Sequence, residues 1–159
     1  MSLVIRKAEE RDAPAIFGFI RELAEYERLA HEVDATQTDI AKALFGLSPR
    51  VFADIAEWQG EPVGFALWFH NFSTFRGRHG IYLEDLFVRP AFRSKGIGRA
   101  LLKHLARRCL DEGLTRLEWS VLDWNEPAVR VYRSIGAIPL DEWTVQRMTG
   151  EALEQLAGD

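Results

Sequence analysis

The chain has 159 residues, of which 47% are hydrophobic and 28% charged, with a formal net charge of −4 at pH 7. This size and apolar content predict a single globular domain over residues 1–159, and the negative charge argues against nucleic acid as a partner. The single cysteine, Cys109, excludes an internal disulfide and a cysteine metal cluster. The N-terminus lacks the apolar stretch of a signal peptide and no window approaches a membrane span, so we expect a cytoplasmic protein without a membrane partner.

The first half of the chain predicts both strands and helices. Asp12 has the residue type of an N-cap and Pro14 falls in the first helical turn. The side chains of Ile16, Ile20 and Leu23 then recur at helical spacing. The elements predicted here are a strand beginning at residues 3–8, a helix from Asp12 to about Arg28, a helix at 38–45, and strands at 51–58 and 63–70 that form an antiparallel hairpin.

The first helix carries an acid where its apolar stripe should continue. Glu27 follows Leu23 by one helical turn, and Tyr26 stands beside it. One interpretation is a frayed helix end with a solvated carboxylate. The other is a helix end that overlooks a polar cleft, which the tyrosine would help to close. The spacing alone leaves both interpretations open.

Two adjacent acids, Glu84 and Asp85, interrupt an apolar strand predicted over 79–88. Because side chains alternate along a strand, the two acids should point to opposite faces of the sheet. Strict alternation assigns Glu84 to the face of Tyr82, Leu86 and Val88. A buried carboxylate without a partner is costly or shifts its pKa, so each acid needs a partner, a wet cleft or a function. For Asp85 we expect hydrogen bonds from loop amides.

A turn with two glycines follows these acids and precedes a helix predicted from Ile97. Gly96 and Gly98 let the backbone approach a ligand closely at a helix start, where free amides and the helix dipole favour an anion such as a diphosphate. Positive charges at the rim of this turn come from Arg93 and Lys95. A turn of this kind is also compatible with an ordinary strand-to-helix connection. It matches neither the dinucleotide-binding fingerprint nor the Walker loop.

The last third of the chain predicts a strand followed by a helix. Gly113 is a natural end for the preceding helix, and a strand is predicted over 116–122. Glu118 and Ser120 share one face of that strand, which is either its solvated face or part of a site. Asn125 then has the residue type of a helix N-cap.

Tyr132 lies in the helix that Asn125 begins. The two residues are seven positions apart, which is two helical turns and within about 20° of the same face, so both can address one ligand. An aromatic residue in an amphipathic stripe is a core residue in most proteins. The spacing therefore allows both a core role and a functional role.

Several motifs occur together. They are Arg93-x-x-Gly96-x-Gly98, Tyr82-Leu-Glu-Asp-Leu-Phe-Val88, Trp124-Asn-Glu-Pro127, Tyr132 with Gly136-Ala137, and Glu22-Leu-Ala-Glu-Tyr-Glu27. With them the chain resembles the GCN5-related N-acetyltransferases (GNAT), and among these the spermidine/spermine (diamine) acetyltransferase branch, over nearly its whole length. The resemblance implies the α/β (α+β) acyl-CoA N-acyltransferase fold, whose mixed, mostly antiparallel sheet is flanked by helices and splays to admit acetyl-CoA.

The resemblance implies acetyl-CoA as the cosubstrate. In the family, one strand pairs its backbone with the pantetheine arm as another strand would, and the glycine turn holds the diphosphate. The positions implied in this binding are Leu86, Phe87, Val88, Arg93, Ser94, Lys95, Gly96, Ile97, Gly98, Arg99, Asn125, Glu126, Pro127 and Ala128. No metal is expected, since the four histidines lack the spacing of ligands.

The same resemblance implies the catalytic roles. The tyrosine that matches Tyr132 donates a proton to the departing CoA thiolate, and the acid that matches Glu84 receives the ammonium and helps to remove its proton through water. No cysteine or serine stands in a recognisable nucleophilic arrangement. We therefore expect the amine to attack the thioester directly.

The implied substrate is a small cationic amine, a polyamine or diamine. The positions implied in its binding are Tyr26, Glu27, Glu84, Glu118, Trp119, Ser120 and Glu142. The alternatives are thialysine or another lysine-like amino acid, a protein amine, or a non-catalytic acyl-CoA-binding protein that retains the loop. The diamine branch, together with the aromatic content between Phe65 and Phe75, also predicts a homodimer.

Overall fold

A computed structural model describes residues 2–158 of the chain. The described residues form two compact units, which divide between Ser120 and Val121. The expectation of one domain over the whole chain stays a prediction.

The first unit is built on a five-stranded sheet. Its elements are β1 (Leu3–Lys7), α1 (Ala13–Tyr26), α2 (Gln37–Phe45), β2 (Phe52–Trp58), β3 (Glu61–Ser73), β4 (Arg78–Val88), α3 (Ile97–Glu112) and β5 (Leu117–Trp119). The strand order is β1-β2-β3-β4-β5, and every neighbouring pair is antiparallel except β4 and β5, which are parallel. The predicted mixed, mostly antiparallel sheet flanked by helices is confirmed.

One face of the sheet forms the apolar core with α1 and α2. Phe19 of α1 is fully buried and its ring stacks on that of Phe65 of β3, with 5.5 Å between centroids. Leu67 of β3 and Phe87 of β4 belong to the same buried cluster. The side chains of β3 and β4 that share this face define what is called here the α1 face.

A β-bulge interrupts the pairing of β3 with β4. Asp85 lies opposite Leu67, whereas Leu83 lies opposite Trp68, so Glu84 is left without a partner in the ladder. An extra residue of this kind breaks the alternation of side chains. Asp85 therefore shares the α1 face with Leu67. The expectation that strict alternation holds along this strand is wrong.

The bulge also separates residues that were assigned to one face. Tyr82 lies opposite Phe69, two residues after Leu67, and therefore faces α1. Leu86 lies opposite Ala66 and faces the other side of the sheet. The predicted grouping of Glu84 and Tyr82 with Leu86 and Val88 is wrong for this reason.

The strand predicted over 116–122 is shorter than expected. Only Leu117–Trp119 pairs, with Ile81–Leu83 of β4. The pairing stops directly before the bulge at Glu84, because the displaced backbone no longer presents a regular edge. The other boundaries differ by a few residues, the largest difference being the extension of β3 to Ser73.

The second unit contains two helices, α4 (Glu126–Ser134) and α5 (Gly150–Gly158). As predicted, α4 starts directly after Asn125. Its first turn contains Pro127. Residues 137–149 contain no strand, and their exposed apolar side chains include Trp143 and Val145. Among the residues described in both units, none of the helices has the length and apolar character needed to traverse a bilayer.

Gly64 of β3 provides a test of how tightly β4 is held. A Cβ atom at this position would lie 2.6 Å from the carbonyl oxygen of Phe87 and 3.2 Å from Cα of Val88, both backbone atoms. We expect Gly64→Ala to lower the free energy of unfolding by about 1 to 3 kcal/mol, because the two strands must separate to admit the methyl group. Urea denaturation measures this change.

Gly18 provides the matched control. It lies within α1, and no atom lies within 4 Å of the position that an alanine methyl group would occupy there. Gly18→Ala should raise the free energy of unfolding by about 0.5 to 1 kcal/mol, since alanine is the better helix former. Equal stabilities for Gly64→Ala and the wild type would contradict the close packing of β3 on β4.

Candidate active site

β4 has an open edge beyond the bulge. Because β5 pairs only as far as Leu83, residues 84–88 have no strand on that side within the described residues. The amide of Arg89 donates to the carbonyl of Val63 at 2.9 Å. Since backbone groups alternate in direction along an antiparallel strand, those of Phe87 also point toward β3, and those of Leu86 and Val88 point to the open edge. This edge can accept an extended ligand as a further strand.

The glycine turn lies directly before α3. Gly96 adopts a left-handed conformation with φ of 79°, which glycine tolerates without strain. The first helical hydrogen bond runs from the amide of Ala100 to the carbonyl of Gly96 at 3.0 Å. The amides of residues 97–99 precede this bond and are the free donors of a helix N-terminus, where the helix dipole favours an anion. The local geometry is therefore suited to a diphosphate.

The two cations of this turn rest on aromatic rings. The guanidinium carbon of Arg93 lies 5.1 Å from the ring centre of Tyr26 and 5.4 Å from that of Phe87. Its Nε donates to the carbonyl of Val88 at 2.9 Å. Nζ of Lys95 lies 5.4 Å from the ring centre of Trp58. Arg93 thus connects the end of α1 to the end of β4, a contact that the sequence did not indicate.

Three carboxylates at the bulge, those of Glu27, Glu84 and Asp85, interact with one another electrostatically. Burial and the charges of Glu84 and Glu27 raise the pKa of Asp85 from the usual 3.8 to about 7. Burial, followed by the charge of Glu84, also raises the pKa of Glu27. Glu27 caps the C-terminal end of α1 and is half-buried, which favours the polar cleft over the solvated helix end.

The expectation that loop amides bind Asp85 is wrong. Within residues 2–158 its carboxyl group accepts no hydrogen bond and forms no ion pair. The reason is the bulge, which places Asp85 on the α1 face opposite Leu67 rather than beside a loop. Sequence spacing contained no signal for this face, because the extra residue becomes visible only when β3 and β4 pair.

Polar side chains continue along the α1 face onto β5. Glu118 lies opposite Tyr82, so Glu118 and Ser120 share this face, as predicted. The Tyr82 hydroxyl and Oγ of Ser120 are 2.6 Å apart. Trp119 lies opposite Leu83 and so faces the other side of the sheet, away from the acids with which it was grouped. Asn71 of β3, which the sequence did not single out, donates to Glu118 at 2.9 Å.

The remaining predicted site residues belong to the second unit. The four positions Asn125, Glu126, Pro127 and Ala128 form the start of α4, and Tyr132 lies in its last two turns. Glu142 is exposed between α4 and α5. Their roles in binding and catalysis stay predictions. Within residues 2–158 no group of three or more His, Cys, Asp or Glu side chains could hold a metal ion.

Comparison with known proteins shows the protein family to which the chain belongs. The model of the Acetyltransferase (GNAT) family matches residues 8–137, which is most of the chain. The chain therefore belongs to the GNAT family, as its motifs predicted, and is an acyl-CoA-dependent N-acetyltransferase that acetylates an amine. The alternative of a non-catalytic acyl-CoA-binding protein is not retained.

Individual relatives and one solved structure are similar to nearly the whole chain. The chain is 40% identical to thialysine N-epsilon-acetyltransferase of Bos taurus, with 98% of each chain covered. It is 30% identical to the L-ornithine N5-acetyltransferase NATA1 of Arabidopsis thaliana, with 96% of this chain and 86% of that protein covered. Among solved structures, an integron cassette protein from the V. cholerae mobile metagenome is 30% identical, with a TM-score of 0.83 over 100% of this chain and 99% of the other.

The raised pKa of Asp85 predicts a pH-dependent stability. Between pH 4 and 7 the carboxyl group of Asp85 loses its proton in the unfolded chain but retains it in the folded protein, so the free energy of unfolding falls as pH rises through this range. The loss is at most about 4 kcal/mol, since each pKa unit corresponds to about 1.4 kcal/mol. Asp85→Asn should therefore raise the free energy of unfolding at pH 8 and change it little near pH 4.

Urea denaturation at both pH values measures this difference. Asp34→Asn is the control, because Asp34 is an exposed carboxylate in the segment before α2. It should give the same small change at the two pH values. A stabilisation by Asp85→Asn that is as large at pH 4 as at pH 8 would rule out the titration of Asp85 as its cause.

Proposed function

We propose that this protein transfers the acetyl group of acetyl-CoA to the terminal amine of a small amino acid of the lysine type, such as thialysine or ornithine. The observation that carries this proposal is the cluster of Glu27, Glu84 and Asp85 at the inner end of the open β4 edge. Like charges that interact in this way repel one another until a cation neutralises them, so the cluster favours an ammonium group. The names of the relatives from Bos taurus and Arabidopsis thaliana support an amino acid as the acceptor.

A polyamine or diamine is the second candidate acceptor. The motif resemblance to the diamine branch supports it, and the same carboxylates would bind a flexible dication. The two candidates differ at one end of the substrate only. An amino acid carries a carboxylate and an ammonium group on one carbon, whereas a diamine carries a second ammonium group alone.

Acetyl-CoA is proposed to lie along the open edge of β4. The outward backbone groups of Leu86 and the amide of Val88 would pair with the pantetheine arm, since the carbonyl of Val88 already accepts from Arg93, and the free amides of residues 97–99 would bind the diphosphate. Residues Asn125 to Ala128 at the start of α4 are also proposed to contact acetyl-CoA, because the family resemblance implies this.

The proposed chemistry is direct transfer. The neutral amine attacks the thioester carbonyl, its excess proton passes through water to Glu84, and the carbon–sulfur bond breaks. Tyr132 donates a proton to the departing thiolate, because a phenol is protonated at neutral pH and stabilises negative charge as it develops on sulfur. Acetylated amine and CoA thiol are the products.

A homodimer and a cytoplasmic location are also proposed. Phe72 and Phe75, at the end of the β3–β4 hairpin, are 54% and 96% exposed. Aromatic side chains presented to solvent in this way favour contact with another protein surface. The diamine branch of the family supports a second copy of the chain as that partner.

Gly96 tests the diphosphate site. A side chain at this position would project from the loop into open space, because no atom lies within 4 Å of its Cβ position. We expect Gly96→Val to raise the Kd for CoA at least about tenfold by obstructing the diphosphate, which corresponds to about 1.4 kcal/mol. Isothermal titration calorimetry measures this affinity.

Gly113 is the matched control for that substitution. It ends the same helix, has a similar φ of 70°, and has no atom within 4 Å of its Cβ position. Gly113→Val therefore introduces comparable backbone strain at the opposite end of α3 and should leave the Kd unchanged. Equal CoA affinities for the two variants would show that the turn at Gly96 does not hold the diphosphate.

The acceptor is tested with a panel of amines. Release of CoA is measured with thialysine, lysine, ornithine, putrescine and spermidine at saturating acetyl-CoA. We expect the largest kcat/KM for an amino acid, and a preference for spermidine or putrescine would favour the second candidate.

Tyr132→Phe, assayed with the best acceptor, should lower kcat about 10²-fold with little change in acetyl-CoA affinity. An unchanged kcat would remove Tyr132 from the mechanism.

A further inference from the structure

Gly80 of β4 leaves a gap in the α1 face that its neighbours fill. A Cβ atom at this position would lie 2.8 Å from Oδ1 of Asn71, 2.8 Å from the carbonyl oxygen of Arg116 and 3.2 Å from Cβ of Arg116. Asn71 belongs to β3 and lies opposite Gly80, and Arg116 directly precedes β5. Side chains from the two strands that flank β4 therefore meet above this glycine.

The side chain of Asn71 lies above Gly80 and binds the carboxylate of Glu118. Its Nδ2 donates to Oε1 of Glu118 at 2.9 Å, across the width of β4. Within residues 2–158 the other carboxylate oxygen, Oε2, has no partner. The amide thus fixes the direction of the Glu118 carboxylate and leaves one oxygen available to a donor from a ligand.

Two arginines lie on the same face as this carboxylate. The Cβ atom of Arg116 lies beside the Cβ position of Gly80, which places Arg116 on the α1 face. Arg78 precedes Gly80 by two residues on β4, so alternation assigns it to the same face. Both side chains are exposed, and neither forms an ion pair within the described residues. An available carboxylate oxygen and available guanidinium groups therefore share one face of the sheet.

The distance from this pair to the acidic cluster fits a lysine-like substrate. Glu118 lies opposite Tyr82, and Glu84 follows Tyr82 by two residues, which corresponds to about 7 Å along the strand. The terminal nitrogen of an extended lysine side chain lies roughly 6 Å from its Cα, given bonds of about 1.5 Å. The two charged ends of one small amino acid would span this interval.

We propose that Glu118 and Arg116 form a head-group site that binds the α-ammonium and α-carboxylate groups of the acceptor, and that Asn71 is its positioning residue. This inference rests on the proposed function, since it places the reacting amine at Glu84. Oε2 of Glu118 accepts from the α-ammonium group, and the guanidinium of Arg116 binds the α-carboxylate, with Arg78 close behind it. A diamine lacks this carboxylate and leaves the arginine unpaired, so the site selects amino acids over diamines.

The test compares two acceptors that differ in one group. Cadaverine is lysine without its carboxylate, so both present the same terminal amine to the acidic cluster. Wild-type protein should give a higher kcat/KM with lysine. Arg116→Gln should lower kcat/KM for lysine at least about tenfold, the effect of losing one charged hydrogen bond, and should not lower it for cadaverine.

Three further variants test what causes the preference for lysine over cadaverine. Arg116→Lys should restore part of the preference for lysine, because it returns the positive charge. Asn71→Ala should raise KM for both acceptors with little change in kcat, since each has a second ammonium group that uses Glu118. Arg50→Gln, at an exposed arginine in the segment before β2, should leave both acceptors unaffected.

The outcomes separate this inference from the function on which it rests. If wild-type protein acetylates lysine or ornithine and Arg116→Gln leaves the lysine-to-cadaverine ratio unchanged, the head-group site is wrong and the proposed function stands. A wild-type preference for cadaverine also overturns the site. If wild-type protein acetylates none of these amines, the proposed function itself fails.

Discussion

The single extra residue in β4 determines most of what surrounds it. Because Glu84 has no partner on β3, the strand changes face at this point and Asp85 comes to lie on the α1 face. The same irregularity ends the pairing with β5 after Leu83 and leaves the following backbone as an open edge. The proposed function uses both features, the open edge for acetyl-CoA and the acids beside it for the acceptor.

The charges near the bulge are held in an arrangement that costs stability. Three carboxylates lie together with little compensation, and the raised pKa of Asp85 reflects both its burial and its neighbours. In the proposed function, the ammonium group of the acceptor would relieve this repulsion. The cations of the glycine turn are kept apart from these acids, since Arg93 rests on Tyr26 and Phe87 and Lys95 rests on Trp58.

The proposed head-group site extends this electrostatic pattern along the sheet. Acids at the bulge are followed by Glu118 and then by Arg116, so the sign of the charge changes with distance from the reacting end. In the proposed site this change of sign would distinguish a zwitterionic acceptor from a dication. The site would depend on Gly80, whose missing side chain lets Asn71 reach across β4. Its specificity would come from an unfavourable contact with the wrong substrate as well as a favourable one with the right substrate.

The sequence by itself determined the local features. The helix start at Ile97, the glycine turn and the start of α4 after Asn125 follow from residues that are neighbours along the chain, because glycine, proline and capping residues act over a few positions. Only the tertiary structure decided which face Asp85 occupies, where Arg93 points and which residue holds Glu118. Those outcomes depend on pairing between strands that are distant in the chain, as the separation of 47 positions between Asn71 and Glu118 illustrates. A bulge arises from the register of two strands, and neither strand encodes that register alone.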